Sequence, residues 1–91
     1  MEEGILTNAR IRSIEHLKDA ALERRGGVKC FILFPRIIRI KRILYKPETD
    51  KFIVYDPDTR SSITMDTCVF KERNIIAYCI EDGTLFRFKT P

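Results

Sequence analysis

The 91-residue chain has no tryptophan, one histidine, three cysteines, and only four glycines and four prolines. Each scarcity removes a class of protein. Cys30, Cys68 and Cys79 are odd in number, widely spaced and never arranged as CxxC, so a disulfide framework is not expected. With no CxxC pair and only His16 as a nitrogen ligand, a zinc site is not suggested either. Three free thiols are expected, with Cys30 and Cys79 set in apolar runs where a thiol behaves as a small buried hydrophobe. So little glycine and proline excludes collagen-like and low-complexity chains. The longest stretch without a charge, Asn74–Ile80, is far shorter than the ~20 apolar residues that a helix needs to span a bilayer. No charged-then-apolar leader is visible. The expected location is therefore cytoplasmic, with no membrane among the partners.

Catalytic signatures are equally scarce. His16 falls roughly 170° from the centre of the apolar arc of its helix and should be solvated, with no nucleophile or orienting acid at a useful spacing. Asp56 and Asp58 flank Pro57 but lack the alternating donors, glycine and terminal glutamate of a calcium loop, so turn chemistry explains them. Neither GxxxxGK nor GxGxxG occurs, and Gly26-Gly27 has the look of a helix end. No catalytic residue, cofactor-binding residue or metal ligand is assigned, and the chain reads as a non-enzymatic protein.

Apolar residues make up 44% and charged residues 33%, a balance that supports one folded domain over residues 1–91 with a flexible start at 1–7. Charge is unevenly distributed. Residues 1–46 hold eleven Lys/Arg against five Asp/Glu, whereas residues 47–91 hold six against eight. Between Arg24 and Lys46 eight cations occur with no acid among them: Arg24, Arg25, Lys29, Arg36, Arg39, Lys41, Arg42 and Lys46. Such a segment attracts polyanions or an acidic protein surface, unless it is only a solvated face balanced by the acidic half.

The local patterns predict an α+β fold, with one N-terminal amphipathic helix packed on a four- to five-stranded antiparallel sheet. Thr7 or Asn8 is placed to cap a helix running to about Arg25, with Ile11, Ile14, Leu17, Ala21 and Leu22 within an arc of roughly 140°. Strands are expected at Val28–Phe34, Arg36–Tyr45, Phe52–Tyr55 and around Ser62–Met65, with Pro35 as a break. The apolar parity of the second strand changes between Ile40 and Ile43, which suggests a bulge near Lys41-Arg42. Turns are expected at Lys46–Lys51 and Asp56–Thr59. For residues 75–82, followed by a strand at Thr84–Lys89, two readings are open. Asn74 can cap a short helix closed by Gly83, or Asp82-Gly83 can turn a hairpin; propensity favours the hairpin.

This order of signals resembles a group of small proteins encoded by bacteriophages and related mobile elements. The matching stretches are Cys30-Phe31-Ile32-Leu33, Arg39–Tyr45, Asp56-Pro57-Asp58-Thr59, and Asn74-Ile75 through Gly83-Thr84-Leu85. The resemblance covers roughly residues 8–88 and implies a helical Asn-Ile…Gly segment. It also implies a small accessory protein, an inhibitor of a bacterial defence system, and carries over no catalytic residue. The candidate partner-binding residues are Arg36, Arg39, Lys41, Arg42, Lys46 and Tyr45. A host protein or nucleoprotein complex is the expected partner, occluded by the basic strand. RNA or single-stranded DNA is the alternative partner, and a structural homodimer the third reading.

Overall fold

The structure of the chain, a computed structural model, describes residues 10–33 and 37–88, the side chains of residues 33 and 37–39 excepted. Among these residues seven strands form one sheet: β1 (Arg10–Arg12), β2 (Val28–Leu33), β3 (Ile37–Lys46), β4 (Lys51–Asp56), β5 (Ser61–Asp66), β6 (Ile76–Cys79) and β7 (Thr84–Phe86). Two helices accompany them, α1 (Ile14–Glu23) and α2 (Thr67–Glu72). The spatial order is β1-β7-β6-β2-β3-β4-β5. Every pairing is antiparallel except β1 with β7, which is parallel. The α+β class is as read from the sequence, but the sheet is larger than the expected four to five strands and is mixed, not purely antiparallel.

The two extra elements arise where short segments satisfy what longer ones leave open. β7 would otherwise present an unpaired edge. Arg10–Arg12 fills it, with the Arg10 N–H donating to Gly83 O at 3.1 Å and the Arg87 N–H to Arg12 O at 3.0 Å. This pairing overrides the helical pattern that includes Ile11, whose side chain is 62% exposed. The helix therefore starts at Ile14, with Ser13 in extended conformation as its N-cap. The caps expected at Thr7 or Asn8, and the flexible start over 1–7, lie outside the described residues. α2 returns the chain from β5 towards β6 and sinks Phe70 completely, its ring centroid 4.5 Å from that of Phe52.

Ile14, Leu17 and Ala21 form the buried stripe of α1; Leu22, expected on the same arc, is exposed. They pack on one face of the sheet, against Val28, Cys30, Ile43, Phe52, Val54, Ala77, Cys79 and Phe86. Burying each large apolar side chain of this kind contributes about 1.5–3 kcal/mol. α1 stops where Gly26 and Gly27 both take φ near +82°, a region closed to most side chains.

The connections follow the turn chemistry. Pro47 and Pro57 open four-residue loops whose last residues, Asp50 and Arg60, have positive φ, a common hairpin geometry. Residues 75–82 resolve as a hairpin: β6 pairs with β7 through Cys79↔Thr84 and Ala77↔Phe86. The helix that the phage-protein resemblance implies there is not formed. The irregularity in β2–β3 pairing lies between Phe31 and Leu33, not at Lys41-Arg42, whose pairings are regular. The change of apolar parity has another origin, because both faces of β3 carry apolar residues. Pro35 and its two neighbours lie outside the described residues, between β2 and β3.

Candidate interaction surface

Register divides the side chains of β3 between two faces. Ile43 and Tyr45, with Lys41, share the helix-covered face, since Ile43 pairs with Val28 and Val54 and Tyr45 with Phe52. Ile40, Arg42, Leu44 and Lys46 point to the other face. The basic strand is therefore not one ribbon of charge.

On the covered side the polar groups are engaged by the protein's own carboxylates. Lys41 Nζ lies 2.8 Å from Asp56 Oδ2, with the two side chains only 18% and 11% exposed. The lysine holds the Asp56 carboxyl below its ordinary range. The Tyr45 hydroxyl donates to Asp50 Oδ1. Its ring packs 5.2 Å from Phe52, centroid to centroid, and lies under Lys18 Nζ at 5.4 Å. Tyr45, Lys18 and Thr67 together pull the Asp50 carboxyl down to about 2. Asp50 thus ties the β3–β4 turn to α1 through Lys18 and to α2 through Thr67, with Tyr45 donating to the same carboxylate. Arg24, at the end of α1, is bound to Glu81 at 2.7 Å and Asp82 at 3.2 Å.

The remaining candidates stand apart. Lys46 is exposed, and Arg42 has only a long contact, 3.5 Å, to Gly26 O. Arg39 belongs to β3, and Arg36 lies outside the described residues. Lys29 and Arg42 are directly opposite on β2 and β3, an arrangement of like charges that costs stability. Among the described residues no carboxylate lies within 4 Å of Lys29, Arg42, Lys46 or Arg25. Tyr55 flanks Arg42 on the other side.

Alongside these cations runs an apolar row that the charge pattern did not single out. Ile40 pairs with Phe31, Phe31 with Tyr78, Tyr78 with Leu85 and Leu85 with Ile11, so that β3, β2, β6, β7 and β1 each turn one apolar side chain to the face without helices; Ile40, Phe31 and Tyr78 are half-buried there, Ile11 is exposed and Leu85 is buried. Leu44 and Ile53 form a second pair, and Ile76 extends the patch on β6. Both helices bury their apolar residues against the opposite face, so among the described residues no helix covers this one. The sequence signal for it is apolar character at both parities of β2, β3 and β4, since a strand with one solvated face alternates instead.

Among the described residues, depressions lie elsewhere on the surface. A cleft of about 320 Å³ between α1 and the β1–β7 edge is lined by Arg10, Arg12, His16, Asp19, Arg24 and Asp82, among others, with charges of both signs. A groove of about 180 Å³ over β4 and β5 has Ile32, Val54, Ile63 and Met65 above the Lys41–Asp56 pair. Among the described residues no three His, Cys, Asp or Glu side chains converge as metal ligands, and no helix is long and apolar enough to cross a membrane.

The fold and surface together define a class: a small mixed-sheet α+β chain with helices on one sheet face and an open, apolar and cationic second face. Comparison with family models, with curated proteins and with solved structures returned no match.

Proposed function

We propose that this chain is a non-enzymatic binding protein that docks a protein partner on the open face of its sheet. One observation carries the reading: the apolar row Ile40–Phe31–Tyr78–Leu85–Ile11, exposed to differing degrees with Leu85 buried, beside the opposed cations Lys29 and Arg42, which have no carboxylate within 4 Å among the described residues. Apolar residues with Arg and Tyr anchors are the composition of interface hot spots. The partner has complementary chemistry, an apolar patch bordered by carboxylates, which relieves the Lys29–Arg42 repulsion. Phe31 and Tyr78 are the two rings of the row and its other three members are aliphatic; that aliphatic share favours a protein over RNA or single-stranded DNA. A second copy of the chain fits less well. Among the described strand residues on that face the one carboxylate is Asp66, which is 3.7 Å from Lys51. Together with the resemblance to phage-encoded proteins, this supports an inhibitor working in the cytoplasm, which occludes a site on a host protein of a defence system.

The test compares the wild type with Lys29→Glu/Arg42→Glu. Both are used to capture partners from bacterial lysate, with and without nuclease, and the captured protein is then purified and titrated against each. The expected result is nuclease-resistant capture, an acidic surface on the captured protein, and an affinity lowered at least tenfold by the double variant, about 1.4 kcal/mol. Equal affinity for both chains rejects the surface. Retention that vanishes with nuclease, or tight salt-sensitive binding of generic oligonucleotides, replaces the protein reading with the nucleic-acid one. A concentration-dependent dimer in light scattering, abolished by the double variant, assigns the face to self-association.

A further inference from the structure

Beneath the open face, on the helix-covered side, β2 and β6 set two cysteines directly opposite one another, Cys30 and Cys79. Both are free thiols, 0% and 1% exposed. Opposed residues of an antiparallel pair keep their Cα atoms about 4.5–5.5 Å apart, within the ~4.4–6.8 Å window of a disulfide. The surroundings of the pair are unusual for inert core thiols. Arg24 Nη1 lies 3.6 Å from Cys79 Sγ, and Asp82 is a second polar neighbour of that sulfur. Arg24 and Asp82 also line the open cleft beside α1, so solvent comes within one side chain of Cys79. Cys30 has no such access; burial, and secondarily the neighbouring Cys79, push its thiol well up.

We propose that Cys30 and Cys79 are a peroxide-responsive dithiol that closes into a cross-strand disulfide. Cys79 is the attacking sulfur, the one beside the cleft, with the Arg24 guanidinium, also held by Glu81 and Asp82, as the donor next to it. Its thiolate attacks one oxygen of a hydroperoxide, the O–O bond breaks, and Cys79 becomes a sulfenic acid as the other oxygen leaves as hydroxide. Cys30 then loses its proton, attacks the sulfenic sulfur and displaces the hydroxyl. The two thiols lose two electrons to the peroxide, and their two protons end in the two waters formed when hydrogen peroxide is the oxidant. The register already holds the two residues opposite each other, so closure requires no strand rearrangement.

The test uses the folded full chain carrying Cys68→Ser, which removes the exposed competing thiol. It is treated with hydrogen peroxide and its intact mass is measured under non-reducing conditions. The expected product has lost two hydrogens, regains them with dithiothreitol, and yields a tryptic map in which peptide 30–36 is joined to peptide 74–87. In the Cys30→Ser chain the reaction should stop at a sulfenic acid on Cys79 that dimedone traps. Oxygen addition without a crosslink overturns the proposal. So does a native chain that stays reduced while the urea-unfolded chain reacts. Dimedone trapping on Cys30 in the Cys79→Ser chain, with none on Cys79 in the converse variant, overturns the order of attack.

Discussion

Replacing Gly27 with alanine tests how α1 is joined to the sheet. Gly27 ends the break after the helix and immediately precedes Val28, whose partner Ile43 forms the first rung of β2 on β3. It has φ of +82°, and a Cβ built there would lie 2.4 Å from the Ile43 carbonyl oxygen, 2.9 Å from its carbon and 3.0 Å from Leu44 Cγ. An L side chain in the left-handed region costs about 1–2 kcal/mol. The clash is with backbone, so relief requires parting that rung, an overpacking cost of about 1–3 kcal/mol. The total, about 2–5 kcal/mol, is a large fraction of a small domain's stability. Gly26 supplies the control. Its φ is also +82°, but the nearest atom to its Cβ is Arg42 Nη1 at 3.9 Å, so Gly26→Ala should lose only the conformational part. Urea unfolding followed by far-ultraviolet circular dichroism measures both, with an unchanged slope and a lower midpoint for Gly27→Ala. Thermal midpoints should fall by about 4–8 °C per kcal/mol. Equal losses for the two variants would refute the close approach of Gly27 to β3.

Phe70→Ala should cost about 3–5 kcal/mol in the same assay, because the ring is fully buried against Phe52 and α2 has no other buried residue; a loss under 1 kcal/mol would mean that α2 is not docked. Asp50, held at about 2 first by Tyr45 and then by Lys18 and Thr67, and Asp56, held low by Lys41, bind protons less readily folded than unfolded. Their contribution is therefore present above the unfolded carboxyl range near pH 4 and is lost as the pH falls towards about 2. Stability against urea should decline across that window and less steeply in Asp50→Asn; a flat profile in the wild type contradicts the assignment. Closing Cys30 and Cys79 would constrain about 50 residues of unfolded chain, and by the chain-entropy relation the oxidised protein should gain about 4 kcal/mol over the reduced one. Comparison of urea midpoints with and without dithiothreitol checks this, and an oxidised form less stable than the reduced one would show that the crosslink strains the sheet.

The division of β3 accounts for both sides of the molecule. A strand that turns Lys41 and Tyr45 to the sheet face that carries the helices spends those groups on the fold, as the Asp56 and Asp50 contacts show. The same alternation delivers Arg42 and Lys46 to the uncovered side, beside Lys29 and the apolar row. A charge run of this kind is not itself a surface; pleat and register decide which members can meet a partner.

What the chain specifies locally was readable from residue order. The stripe Ile14, Leu17, Ala21, the glycine break, the strands from Val28 to Met65, the Pro47 and Pro57 turns and the Asp82-Gly83 hairpin all rest on interactions within a few residues. Three features needed the assembled sheet. Arg10–Arg12 has no strand signal of its own and is extended because β7 offers an edge. Thr67–Glu72 is helical because Phe70 finds Phe52. Lys29, Phe31 and Tyr78 form one surface with Arg42 only because β2 lies between β6 and β3. Periodicity reports which side chains share a face of one element; which elements become neighbours is set by the burial and backbone pairing of segments far apart in sequence, and that placement chose the docking face and brought Cys30 opposite Cys79.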